Sequence, residues 1–301
     1  MPTGLWYYTR EAMRDVEPIT EGREEGQADL DLSSTIELVE LMNDEDARVA
    51  PAVREAAQAL AAAIDAIVER LQRGGRLVYV GAGTSGRQAV GDAAECGPTF
   101  GVDGCVLAVA VADEAEEDDE LAGAVAVGRV SPTAADAVVA LSASGATPYV
   151  LGALRAAADA GALTIAVVCA HGSPLGAAAD HTVEVVVGPE VIAGSTRLKA
   201  GTAQKLVLNT ISTAVMVRLG RTYGNLMVGV ATGNAKLRAR ARRTIELATD
   251  ATDAEVDAAL EAAGGDAKVA IVSLLTGLDA AEARGRLEAA GGAIRRALEL
   301  G

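Results

Sequence analysis

The sequence predicts an α/β protein on a doubly wound, mainly parallel sheet, with an N-terminal helical segment before it and a small C-terminal helical bundle after it. Three observations carry this. Apolar, largely β-branched runs alternate with helical or turn segments from Arg76 to about Gly224. The first of those runs passes straight into a Gly/Ser/Thr turn and a helix. From about Thr244 to Leu300 the pattern becomes purely helical and Ala-rich. With 301 residues, 50% of them apolar, the chain can build a sizeable core and carry a small appended domain. The composition shifts divide it into an N-terminal segment over 1–46, a sheet domain over 47–243 and a helical domain over 244–301.

Each element has a local reason. The entry is polar and acidic up to about Asp46, with Gly22 and Gly26 marking exposed chain before a helical pattern over 34–42. Val53, Ala57, Leu60, Ile64, Ile67 and Leu71 recur at spacings of three and four, which predicts one long helix over 47–73 that Gly74 and Gly75 end. Strands are expected over 77–80, 105–111, 137–141, 163–168 and 182–187, and a long helix over 195–219. Breaks at 249–252, Gly264–Gly265 and Gly291–Gly292 divide the tail into short helices.

Charge and composition exclude several classes of function. A net charge of −16 argues against nucleic acid and anionic membrane as partners, because both require a basic field. Cys96, Cys105 and Cys169 are odd in number and lack metal-ligand spacing, so they read as reduced core thiols in a cytoplasmic protein. The first residues lack the basic-then-apolar order of a leader, and no apolar run is long enough to span a membrane. His171 and His181 read as structural, and neither a metal nor another cofactor is implied.

The chemistry concentrates at two turns. Gly81, Gly83 and Gly86 let the backbone turn tightly at the end of the first strand, and the amides and hydroxyls of Thr84 and Ser85 would face an anion beyond the carboxyl edge of the sheet. Glu95 follows near the end of the next helix, where a carboxylate gains nothing from the helix dipole. After the third strand, Ser142, Ser144, Gly145 and Thr147 repeat the pattern ahead of Pro148. The first turn has no Walker Lys and not the full spacing of a dinucleotide fingerprint, so neither ATP nor NAD is favoured. Arg197, Lys199 and Lys205 begin a helix with no acid among them, either as a local field for an anion or as a solvated face.

In its blocks GAGTSGR (81–87), DAAEC and PTFG around Glu95, ASG and TPYV (143–150), MNDEDARVAPAV (42–53) and GPEVIAGSTRLKAGTAQKLVLN (188–209), the chain resembles the N-acetylmuramic acid 6-phosphate etherases of the sugar isomerase (SIS) fold group. TEG at 20–22 and GNLMV at 224–228 add to the resemblance. It implies an SIS-type sugar-phosphate-binding domain and a homodimer with sites near the subunit interface. It also implies removal of D-lactate from carbon 3 of the sugar phosphate, without metal or nucleotide. Carried onto this sequence, it makes Glu95 the proton donor to the leaving lactate and Glu117, in the block Ala115-Glu116-Glu117-Asp118, the base. Thr84, Ser85, Gly86, Ser142, Ser144, Gly145, Thr147, Ser195 and Lys199 become the expected substrate contacts, and Glu190 a polar contact without an assigned role.

Departures from the family pattern keep two alternatives open. Between Glu95 and Glu117 the chain is shorter than the usual member by about two helical turns. Ala146 stands where an Arg is usual, and 24–26 reads Glu-Glu-Gly in place of an Asn-containing run. The run over 113–120 could equally be a solvated acidic loop. A non-catalytic sugar-phosphate-binding regulator and a sugar-phosphate isomerase on the same fold are therefore the alternative functions.

Overall fold

The structure, a computed structural model, describes Gly22 and residues 29–111, 113–229 and 235–300. Thr20, Glu21 and residues 24–26 of the entry segment lie outside the described residues.

Helix α1 (Thr35–Asp46) starts at a capping box. Ser34 accepts from the Glu37 amide while the Glu37 side chain accepts from the Ser34 backbone. The single helix expected over 47–73 is two, α2 (Val49–Glu55) and α3 (Ala57–Gln72). The chain bends at Ala56 because the two pieces pack differently: α2 against the long helix α9 (Lys199–Arg218), α3 against both α9 and the sheet.

The fold class expected from the sequence is borne out. Strands β1 (Leu77–Ala82), β2 (Val106–Val111), β3 (Ala137–Ser142), β4 (Leu163–Val168) and β5 (His181–Glu184) form one parallel sheet in the order β2-β1-β3-β4-β5. The crossovers are α4 (Gly83–Phe100), then α5 (Glu114–Glu117) with α6 (Glu120–Gly128), then α7 (Pro148–Asp159), then α8 (Pro174–Ala178). Both faces of the sheet are buried, which is why its strands read as apolar runs. Leu77, Tyr79, Ala137, Val139 and Leu141 join α3, α4 and α9 in one core. Val78, Val80, Val138 and Ala140 join α6 and α7 in a second.

Two expected boundaries shift. The strand expected over 182–187 ends at Glu184, since β4, its only neighbour, stops at Val168 and gives just one further bond, to the Val185 amide at 2.8 Å. The helix expected from 195 begins at Lys199. There the Glu190 carboxylate accepts from the amides of Lys199 (2.9 Å) and Ala200 (3.0 Å), a cap supplied from outside the helix.

A short hairpin, β6 (Thr222–Tyr223) and β7 (Leu226–Met227), leads to the tail helices α10 (Ala235–Thr249), α11 (Asp253–Ala262), α12 (Ala267–Thr276), α13 (Ala280–Ala289) and α14 (Ile294–Glu299). They enclose their own apolar core, with Ile245, Val256, Ile271, Leu287 and Ile294 buried in it. No described helix is long and apolar enough to cross a membrane.

Candidate active site

In this strand order the chain leaves β1 toward one sheet edge and β3 toward the other, so the crevice for a ligand lies beyond the carboxyl ends of these two neighbours. Both hydroxyl-bearing turns open there.

At the end of β1 the backbone enters α4 without a loop. Gly83 takes φ +53°, a left-handed conformation costly for any residue with a β-carbon. Thr84 is half-buried, and its hydroxyl accepts from the Arg87 guanidinium at 2.9 Å. Ser85 turns inward and donates to Gln204 on α9 at 2.8 Å. Gly86 is buried against the strands, where a β-carbon would stand 2.8 Å from the Gly81 carbonyl oxygen. Of this turn's expected contacts, Ser85 and Gly86 join it to its supports, and Thr84 stays at its rim.

The turn after β3 is knitted by Ser142. Its hydroxyl accepts from the Gly145 amide at 3.0 Å and lies 2.9 Å from the Thr147 hydroxyl and 3.5 Å from that of Ser144. Ser144 in turn accepts from the Ala146 amide at 3.3 Å. Gly145 has φ +68° and lies so close to Ser173 that a β-carbon would come within 2.3 Å of its hydroxyl. The turn is thereby fixed, and α7 follows with Pro148 in its first turn.

The acidic run over 113–120 resolves into separate tasks. Asp113 caps α5 by accepting from Ala115, Asp119 caps α6 by accepting from Leu121 and Ala122, and Glu120 pairs with Arg155. Glu117, at the last position of α5, is left facing the crevice. It lines a cavity of about 380 Å³ with Asp118, Ser144, Ala146, Thr147 and Pro148. Its Oε2 also lies 3.5 Å from where a β-carbon on Gly83 would stand. One carboxylate thus lies against both turns.

Other expected site residues lie elsewhere. Glu95 is exposed on α4, twelve residues beyond Gly83, which is about 18 Å along a helix axis. Lys199 is 2% exposed, and its ammonium pairs with the buried Glu45 carboxylate, which Arg48 also meets at 3.0 Å. Its charge is spent on that pair and does not line the cavity. Ser195 is half-buried in the loop before α9, its amide bonded to the Ile192 carbonyl. Glu190 is buried as the cap of α9. His171 pairs with Glu184 at 2.8 Å. Burial pushes the thiols of Cys96 and Cys169 up to about 12, with Asp92 adding to the effect at Cys96 and Glu190 at Cys169.

Sequence reasoning missed Glu45, Gln204 and Ser173. Glu45 is 154 residues from Lys199 and Gln204 is 119 from Ser85, so no local spacing could have paired them.

Comparison with known proteins places this geometry. Residues 43–169 match the SIS domain family, a span that takes in both turns, Glu95 and Glu117. An N-acetylmuramic acid 6-phosphate etherase from Rubrobacter xylanophilus is 58% identical over 291 residues, covering 94% of this chain and 96% of the relative. The chain belongs to the N-acetylmuramic acid 6-phosphate etherase family. Another member, from Streptomyces avermitilis, is 51% identical over 90% of each chain. A solved phosphoheptose isomerase from Neisseria gonorrhoeae, 18% identical, covers 60% of this chain and 98% of its own with a TM-score of 0.50, which extends the likeness of fold alone. Within the etherase family, this chain keeps its cavity carboxylate on a four-residue helix, α5, with a cap at its start.

Proposed function

We propose that this chain is a carbon–oxygen lyase that cleaves the D-lactyl ether of N-acetylmuramic acid 6-phosphate, giving N-acetylglucosamine 6-phosphate and D-lactate in the breakdown and recycling of cell-wall amino sugars. The observation that carries the reading is the position of Glu117, on one cavity with Ser144 and Thr147 and against Gly83 of the other turn. Oriented hydroxyls and amides at the carboxyl edge of a parallel sheet suit a phosphate. A carboxylate beside them suits proton removal from the sugar that the phosphate anchors.

In this reading the substrate reacts as its open-chain aldehyde, which acidifies the proton on carbon 2. Glu117 takes that proton, the carbon 3–oxygen bond breaks, and lactate leaves with a proton from Glu95. Water then adds to carbon 3. Ser144 and Thr147 hold the phosphate with Thr84 at the rim, while Ser85, Gly86, Ser142 and Gly145 hold the turns in shape. Ser195 is kept as a sugar contact on the family resemblance alone, and Lys199 acts through Glu45 as a support of α9.

The length of α4 between the first turn and Glu95 argues for a homodimer. About 18 Å of helix separates Glu95 from Gly83, more than the length of one sugar phosphate. In this reading the Glu95 that serves each Glu117 comes from a second copy, which would bring its exposed α4 face over the crevice. The same reading places the protein in the cytoplasm, where phosphorylated sugars are held.

The test is incubation with N-acetylmuramic acid 6-phosphate while D-lactate is measured. Release that Glu117→Gln reduces at least a hundredfold is expected, with parallel loss of carbon 2 proton exchange in deuterated water. Binding without any lactate release would leave a sugar-phosphate sensor. Aldose–ketose conversion without lactate would mark an isomerase.

A further inference from the structure

At the opposite end of the sheet from the two turns, the helical tail meets the end of α9 around a cavity of about 720 Å³. Leu71, in the last turn of α3, and Cys105, just before β2, lie on its sheet side. Strands of six residues separate it from the crevice by about 20 Å. Four arginines line it, Arg218, Arg221, Arg295 and Arg296, and no Asp or Glu does. That is unexpected in a chain with 42 acidic and 26 basic side chains.

Two of the four are positioned by neighbours. Arg218 lies 3.6 Å from Asp65, and Arg295 lies 5.2 Å above the Tyr223 ring. Arg221 and Arg296 make no ion pair among the described residues. Behind the wall, Lys268 donates to the carbonyls of Gly220 (3.4 Å) and Gly292 (2.9 Å), tying the tail to α9 and adding a fifth positive charge. Burial, and then repulsion from Arg221, push its ammonium down to about 8. Like charges gathered round one cavity repel unless an anion joins them.

We infer that this cavity is a second anion site, which takes a phosphomonoester on Arg221 and Arg296 and is separate from the site at the two turns. Two unpaired guanidinium forks match a dianionic tetrahedral group. The volume admits a body the size of a sugar phosphate or a mononucleotide. Because the cavity joins the tail to the sheet domain, its occupant bridges both.

Cys105 reports on the site in the unaltered protein, since it lines this cavity while Cys96 and Cys169 are buried. The experiment measures the rate of Cys105 alkylation by N-ethylmaleimide on the full chain, read by peptide mass spectrometry. Inorganic phosphate, glucosamine 6-phosphate and AMP are compared with chloride at equal ionic strength. At least one phosphate compound is expected to slow alkylation fivefold or more, and the order of potency separates a sugar phosphate from a nucleotide source. In R221Q/R296Q the slowing should vanish while D-lactate release stays within twofold of the parent. No slowing by any of the three at 10 mM, on the order of a weak-site Kd, would overturn the inference, and so would equal slowing in the double variant. The comparison on the unaltered chain stands even if the variant fails to fold.

Discussion

The Glu117 carboxylate faces Gly83 across the crevice, its Oε2 3.5 Å from where a β-carbon would stand. This approach brings the end of α5 to the start of α4 across the crevice. Replacing Gly83 by Ala adds a methyl group at that contact and forces a left-handed φ of +53° on a residue with a β-carbon. The expected outcome is a loss of about 1–2 kcal/mol in stability. Relief of that strain would shift the turn that faces Glu117, so a fall in kcat for lactate release of roughly a hundredfold should accompany it. Urea unfolding and steady-state kinetics on the same sample check both.

The two serines of the second turn should separate by readout. Ser142 is buried and serves the turn itself, accepting from Gly145 and meeting Thr147. Ser142→Ala leaves the Gly145 amide without its acceptor and should lower stability by about 1–3 kcal/mol. Ser144 lines the cavity and bonds only weakly inside the turn, at 3.3 and 3.5 Å. Ser144→Ala should raise KM for the sugar phosphate severalfold while the thermal midpoint moves little. Equal loss of stability in both variants would remove Ser144 from phosphate binding.

Asp136 gives the fold its acid sensitivity. Burial alone would push its carboxyl up, but the side-chain and backbone bonds from Arg76, with the Thr133 amide, outweigh burial and hold it at about 2. The folded pKa lies below the unfolded one, near 4. The stabilisation is therefore full above pH 4 and is lost as pH falls toward 2, by roughly 2 kcal/mol. Asp136→Asn should flatten that part of the stability–pH curve, measured by urea midpoints between pH 5 and pH 2.5. A parallel, merely shifted curve would assign the acid sensitivity to other carboxylates.

Much of this architecture was legible because the sheet is buried on both faces. Runs such as Leu163–Val168 announce themselves without any partner in view, and that strand matches its expected bounds. The hydroxyl turns were legible because Gly, Ser and Thr cluster directly after such runs. What sequence could not supply was pairing at long range. Lys199 looked like a free cation on a helix start, and only the fold brings Glu45 to it. Glu190 looked like a site contact, and only the fold makes it the cap that sets where α9 begins. The acidic run over 113–120 looked uniform, because the distinction between capping Asp113 and Asp119 and cavity-facing Glu117 depends on where two short helices start.

The Glu45–Lys199 pair is the most direct test of that correction. Both side chains are nearly fully buried, at 3% and 2% exposure, and they link α1 to the first turn of α9. Removing one partner strands a buried charge, so Glu45→Gln is expected to cost about 3–5 kcal/mol. Replacing both by Met removes the stranded charge along with the pair and should recover most of that loss. Lactate release then separates the two roles considered for Lys199. If it only supports α9, the double variant keeps its KM for N-acetylmuramic acid 6-phosphate within about twofold of the parent, a difference under 0.5 kcal/mol. If its ammonium serves the substrate, KM rises at least tenfold although stability has returned, and Lys199 goes back among the contacts that bind the sugar phosphate.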